Sequence, residues 1–394
     1  MNSIHQTLSI TMMNLRNLSS RVGSSMVIVV GIAGVVAVLI TVLSMAKGFE
    51  ATLKGSGFPD RAIVMRGGSE SEMSSGLSVQ QARLIESNPW IETGQSGAMA
   101  AGEIYVIADI RKRGNNSEAN MPMRGVEEKS FIIRDEVTIV EGRNLTFGRF
   151  ELIAGVKAAD QFQGIDIGGQ LNIRGAKWTV VGLFEADDSI YESEVWVDTV
   201  VLRSNLNRGG GYNTVFVKLK SEDDLETFKQ SLADDPQLET NVIRETTYYS
   251  AQSGATTSLI ETFGYSVGFI MAIGAIFAAL NTMYSAVSTR SVEIATLRAL
   301  GFGPAPIVIS VMTEALVLAI IGGIAGALIA YLFFNGYTAS TWGGTFSQVS
   351  FDFAVTTELI TNGIVWSCIL GLTGGLFPAI SATLQPITVT LRGM

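Results

Sequence analysis

Four stretches of this chain, 25–47, 263–287, 307–334 and 359–380, are apolar over lengths that few soluble folds can absorb. A hydrocarbon layer ~30 Å thick takes ~20 helical residues to cross. A spanning segment must also satisfy its backbone polar groups internally. The four stretches are therefore predicted to be transmembrane helices. Charge is segregated to match: 32 of the 36 acidic and 21 of the 27 basic residues fall within 48–262, so a water-exposed domain sits between the first and second spans. The first span follows Arg16 and Arg21 and ends in small residues, as a signal peptide would. It is longer than the ~7–15 residues of a signal h-region and shows no clear A-x-A site, so it is read as an uncleaved anchor.

Lysine and arginine in short loops set orientation. Arg16 and Arg21 precede the first span, Arg290 and Arg298 lie between the second and third, and Arg392 follows the fourth, whereas 335–358 has neither residue type. Both termini and the loop 288–306 are thus expected in the cytoplasm, with 48–262 and 335–358 outside. Within 1–24, Ile4, Leu8, Met12, Leu15 and Leu18 recur at helical spacing, which suggests an amphipathic helix lying on membrane lipids, the alternative being a short N-terminal extension of the first span.

Several function classes lose their support. A net charge of -9 argues against nucleic acid as a partner. The only cysteine, Cys368, allows no internal disulfide, so the central domain must hold by core packing, for which roughly 200 residues suffice. The only histidine, His5, lies outside that domain, which removes an imidazole metal site or a Ser/His/Asp triad there. The glycine-rich segments at 66–76 and 208–213 lack the spacing of a phosphate loop. Asp187, Asp188, Glu192 and Glu194 flank short apolar runs and read as solvated turns. No catalytic residue, metal or cofactor is assigned.

The central domain reads as two α/β halves, 48–125 and 208–258, around a β-rich insert at 126–207. In the first half "DRAIVMRGG" and "AGEIYVIADI" are strands and "SVQQARLIESNP" is a helix with Ser78 as N-cap. In the second, "YNTVFVKLK" and "ETNVIRE" are strands flanking the helix "SEDDLETFKQSLADDP". Such halves can close as one ferredoxin-like unit.

The loop 288–306 carries the sharpest motif. Val292, Ile294, Ala295 and Leu297 alternate with Arg290, Glu293 and Arg298, and the helix stops at Gly301 with Pro304 beyond. A short amphipathic helix between two spans can dock on a soluble partner. This pattern, R-x-x-E-I-x-x-L-R-A-L-G, met by Arg290, Glu293, Ile294, Leu297, Arg298, Ala299, Leu300 and Gly301, resembles the MacB/FtsX permease superfamily of mechanotransmission ABC permeases. "FPAISATLQPITVTLRG" is similar to that family's tail, although Ser381 and Thr383 stand where it usually has basic residues. "VEGRNLTFGRFELIAGVKAADQF" resembles its outer domain.

The resemblance implies an α-helical membrane protein of the bacterial inner membrane with a 1+3 arrangement of four transmembrane helices. Its large α+β periplasmic domain would carry porter-like, ferredoxin-like and β-rich subdomains. It implies a homodimer of permeases bound through Arg290, Glu293, Ile294, Leu297, Arg298, Leu300 and Gly301 to a separate cytoplasmic ABC ATPase, with a periplasmic adaptor and outer-membrane channel as further partners. The expected function is efflux or extrusion driven by movement of the outer domain; the second reading is an FtsX-like regulator of an envelope enzyme that moves no cargo. Within the third span Glu314 calls for a partner, and a tie to Asn281 or to the coupling loop is expected. The pairs Gly322/Gly326 and Gly371/Gly375 suit close helix packing, within one subunit or between two.

Overall fold

The computed structural model describes residues 3–16, 22–114, 117–206, 210–342 and 348–384; Leu18, Arg21, Arg392 and the tail from 385 onward lie outside the described residues. The chain forms two compact units. One comprises Met1–Lys47, Ser258–Tyr337 and Phe353–Met394, and the other Gly48–Thr257 with Thr338–Asp352.

The first unit is helical: α1 (Ser3–Arg16), α2 (Val22–Lys54), α8 (Glu245–Thr289), α9 (Ser291–Ala299), α10 (Pro304–Phe334) and α11 (Thr357–Leu384), of which α2 and α8 also contribute to the second unit. Four of these are long and apolar enough to cross a membrane: α2, α8, α10 and α11. Each runs past the span read from hydropathy, α8 beginning as far back as Glu245. Glycines permit the close approaches. A Cβ at Gly326 would stand 2.5 Å from the Ala33 carbonyl of α2, and one at Gly371 2.4 Å from the Ala319 methyl of α10. Both glycine pairs therefore pack helices of the same chain. Ile32, Val36, Ile40, Val311, Leu318 and Ala319 form the core between them. Helix α8 is less covered, with Phe263, Phe269, Ile270 and Phe277 between 61% and 69% exposed, as a face toward lipid requires.

The second unit is built on a ten-stranded sheet. At one end Thr240–Arg244, Arg61–Arg66, Thr214–Lys218 and Ala100–Arg111 lie side by side, all antiparallel. In chain order this is 4-1-3-2, the arrangement of a ferredoxin-like unit closed from two distant βαβ halves. Helices α3 (Val79–Glu86) and α7 (Leu225–Ala233) bury Ala82, Ile85, Phe228 and Leu232 against Ala62, Val64, Val215 and Val217. Ser78 caps α3 in a reciprocal box with Gln81, while Ser221 caps a short 3-10 turn ahead of α7.

The sheet continues without a break into the insert. From Ile104 to Arg111 the strand Ala100–Arg111 pairs with Glu118–Val126, which pairs in parallel with Val195–Asp198, followed by Glu151–Gly155, Ala176–Glu185 and Thr138–Gly142. Its core holds Trp178, Phe162, Leu152, Met121 and Met123. Where the two subdomains share the sheet, charge is buried. Arg124 bonds Glu72, Glu103 and Glu194, and Arg134 makes two bonds to Glu103. Burial by itself would push the Glu103 carboxyl up; Arg134 and Arg124 overcome it and hold it below its ordinary value. Asp187 and Asp188 are exposed turn residues as expected, Asp188 meeting Lys157, whereas Glu192 and Glu194 are buried and paired with Lys157 and Arg124.

One segment carries structure that the sequence reading did not assign. Within the loop 335–358, Thr338–Trp342 and Gln348–Asp352 form a β-hairpin that belongs to the second unit. Lys112 and Gln161 donate to Gln348 Oε1 at 2.9 and 3.0 Å, the Ser350 N–H donates to Ser193 Oγ at 2.9 Å, and Phe351 packs edge-on to Phe49. Such long-range polar pairing has no local hydropathy signature.

Candidate coupling site

Helix α9 is nine residues long, too short to be stable alone, and its ends and one face are secured by the helices around it. At its C-terminus, Gly301 adopts φ +93°, its N–H bonds the Arg298 carbonyl at 3.1 Å, and the Phe302 N–H bonds the Leu297 carbonyl at 3.1 Å. This is the double bond pattern of a Schellman cap, and it requires a left-handed residue where Gly301 stands. Leu297 and Phe302, the pair that such a cap brings together, both pack on the helical core.

At its N-terminus stands Arg290, 7% exposed. Its Nη1 donates to Glu314 Oε2 of α10 at 3.2 Å, its Nε to Glu293 Oε2 at 3.2 Å, and its Nη2 to Asn14 Oδ1 of α1. Asn14 Nδ2 in turn donates to Ser310 Oγ of α10 at 2.5 Å. A cavity of ≈ 20 Å³, room for about one water, lies beside this group and is lined by Ile10, Met283 and Leu297 among others. Glu314 thus ties to the coupling segment through Arg290, whereas Asn281 is exposed on α8. The reason is depth: Asn281 lies more than two helical turns before Arg290, and its face of α8 is turned outward.

The residues named from the motif divide by face. Ile294 is 8% exposed and packs with Met283, Val287, Ile307 and Val311, and Leu297 packs against the same cluster. Both anchor α9 to the core of its own chain. The open face carries Val292, Glu293, Thr296, Ala299 and Leu300, the last 72% exposed; Arg298 is half-buried. Asn14 and Ser310 were missed by sequence reasoning. The one available signal was that Asn14 follows Ile10 by four residues, which places both on one side of α1.

Four apolar helices, a large α/β domain inserted between the first two, and a capped helix between the second and third define a permease-type membrane protein. A family model described as "MacB-like periplasmic core domain" matches residues 25–235, and one described as "FtsX-like permease C-terminal" matches 265–387. The chain belongs to the MacB/FtsX-like family of ABC transporter permeases. It is 23% identical over 93% of its length to the macrolide export ATP-binding/permease protein MacB of Mannheimia succiniciproducens, of which it spans 57%. It is 24% identical over 77% of its length to the lipoprotein-releasing system transmembrane protein LolC of Xylella fastidiosa, covering 75% of that protein. Half of the chain overlays 93% of the periplasmic region of MacB from Actinobacillus actinomycetemcomitans, at a TM-score of 0.37 and 11% identity.

Proposed function

We propose that this permease lies in a bacterial inner membrane with α9 in the cytoplasm, where α9 docks on a cytoplasmic ABC ATPase and converts ATP-driven closure into movement of the outer domain. The observation that carries this reading is α9 itself. A helix fixed at both ends and along one face, with Val292, Thr296 and Leu300 on the other, has the form of a small rigid docking element whose apolar residues have no use within the chain.

Helix α8 is one unbroken helix from Glu245 to Thr289 and ends one residue before Arg290, which supports it as the element through which force on α9 leaves the cytoplasm. ATP hydrolysis is contributed by the partner ATPase. The permease works as a dimer with two nucleotide-linked states, and a periplasmic adaptor and outer-membrane channel complete the path. Macrolide export and lipoprotein release, the tasks named for the relatives, support extrusion of a substrate as the work done.

The test is the ATPase that co-purifies with the full-length chain. Leu300→Asp places a charge on the docking face and is expected to release the ATPase and abolish its stimulation while the permease itself stays folded. Retention of full association by Leu300→Asp would overturn the reading. Ile294→Asp is expected instead to unfold the helical unit, because it buries a charge among Met283, Ile307 and Val311.

A further inference from the structure

An amphipathic helix held only by lipid turns its polar side chains to water. Helix α1 does otherwise. It exposes Leu8 and Met12, at 65% and 52%, and buries Asn14, at 4%. The Asn14 carboxamide is used at both ends, its oxygen accepting from Arg290 Nη2 and its nitrogen donating to Ser310 Oγ. Reversing the amide would set an NH2 group against a guanidinium that can only donate, so the two partners fix its orientation.

Arg290 is accordingly held from three sides, by Asn14 of α1, Glu314 of α10 and Glu293 of α9. It is also the N-cap residue of the coupling helix. The Ile294 N–H bonds the Arg290 carbonyl at 3.0 Å, so the direction in which α9 leaves α8 is set where the Arg290 side chain is pinned. Glu293 and Glu314 take Nε and Nη1 from α9 and α10. Asn14 takes Nη2 and supplies the third fixed point, from the separate element α1.

We infer that Asn14 is a positioning residue: by holding Arg290 it makes α1 a latch that sets the pose of the coupling helix α9 and thereby its effect on the ATPase. This rests on α9 being the coupling segment. With the latch closed, α9 presents Val292, Thr296 and Leu300 in one fixed direction. When Asn14 lets go, α9 keeps its anchors Ile294 and Leu297 and its cap at Gly301, so it remains a helix but rocks about them. Loss of Asn14 therefore separates binding from stimulation, which loss of a docking residue does not.

The experiment uses the full-length chain, with Cys368→Ser and a nitroxide on a cysteine at Thr296, in lipid nanodiscs. With Asn14 present the label is expected to report one ordered population. Asn14→Leu, which keeps the volume and removes both hydrogen bonds, is expected to give a second, mobile population, while Asn14→Asp, which retains the acceptor for Arg290, restores the ordered spectrum. A label at Phe333, at the far end of α10, serves as the control and is expected to stay unchanged. In parallel, the co-purifying ATPase is expected to stay bound to Asn14→Leu but to lose stimulation by about tenfold, within the usual range of coupling between sites. Should Asn14→Leu fail to reach the membrane, Asn14→Ser, whose hydroxyl falls short of Arg290, carries the same expectation.

An ordered Thr296 label in these variants, or stimulation that falls only in step with binding, would overturn the latch. If Leu300→Asp keeps full association, the coupling assignment fails instead, and the label spectra still decide whether Asn14 holds α9.

Discussion

Arg124 grips Glu194 at two points, Nε to Oε2 at 2.7 Å and Nη2 to Oε1 at 2.8 Å, with both side chains sealed from solvent. Arg124 lies on Glu118–Val126 and Glu194 immediately precedes its parallel neighbour Val195–Asp198, and Arg124 also reaches Glu72 and Glu103 of the ferredoxin-like half. Removing the arginine takes the cation from buried Glu72 and Glu194, while Glu103 keeps Arg134. Arg124→Leu is expected to destabilise the outer unit by about 3–5 kcal/mol, with Glu194→Gln milder because Arg124 keeps two acidic partners. Denaturant unfolding followed by the fluorescence of Trp196, whose indole N–H donates to Glu194, measures both.

The acid limb of stability has an identifiable contributor. Arg143, through two bonds at 2.7 Å, and the Thr146 N–H hold the Glu151 carboxyl down to about 2. A depressed carboxylate adds stability above its unfolded value of ~4.3, and that stability is lost as pH falls toward the folded value. Glu151→Gln should therefore lower stability at neutral pH and flatten its decline between about pH 4 and 2. An unchanged slope in that window would assign the acid sensitivity elsewhere.

Two glycines of the membrane unit should respond oppositely to alanine. At Gly326 the new methyl meets the Ala33 carbonyl and Val36, so α2 and α10 must part, at a cost of about 1–3 kcal/mol. At Gly274 nothing stands within 4 Å. There the substitution removes only the backbone freedom of glycine and should stabilise α8 by up to about 1 kcal/mol. Melting temperatures of both variants in one detergent provide the comparison.

Gly301→Ala meets no steric obstacle but must adopt φ +93°, which costs roughly 1–2 kcal/mol. The last turn of α9 is expected to fray, with faster hydrogen exchange at the amides of Gly301 and Phe302, whereas Gly301→Asn should be nearly silent. Equal protection in wild type and Gly301→Ala would show that the packing of Leu297 and Phe302 on the helical core alone holds the end.

Orientation can be read with a thiol reagent that does not cross membranes. After Cys368→Ser, a cysteine at exposed Asp234 of the outer unit is expected to react in intact cells, and one at exposed Leu300 only after permeabilisation. Labelling of Leu300 in intact cells would invert the topology.

The comparison between sequence and structure turns on the range over which each signal acts. Transmembrane segments were legible because hydropathy over about twenty residues is a local sum that lipid reads directly. The Ser78 cap, the α9 stop at Gly301 and the two βαβ halves were legible for the same reason: each depends on residues a few positions apart. The motif around Arg290 was visible too, and so was the family it resembles. What it did not contain was direction. Ile294 within α9 and Leu300 at its C-cap are both apolar and lie six residues apart, and only the packing of α9 on Met283, Ile307 and Val311 turns one inward and leaves the other 72% exposed.

The remaining departures share a cause. Asn14 finds Arg290 from 276 positions away, and Gln348 finds Gln161 from 187. Arg124 gathers Glu72, Glu103 and Glu194 from three separated segments. A polar side chain is tolerated in a buried place only when a specific partner meets it there. That meeting depends on how distant elements cross, so the sequence by itself determined which segments are long and apolar enough to enter the membrane and where the capped helix between the second and third lies. The tertiary structure alone decided which charges and amides are buried together and hold those segments in place.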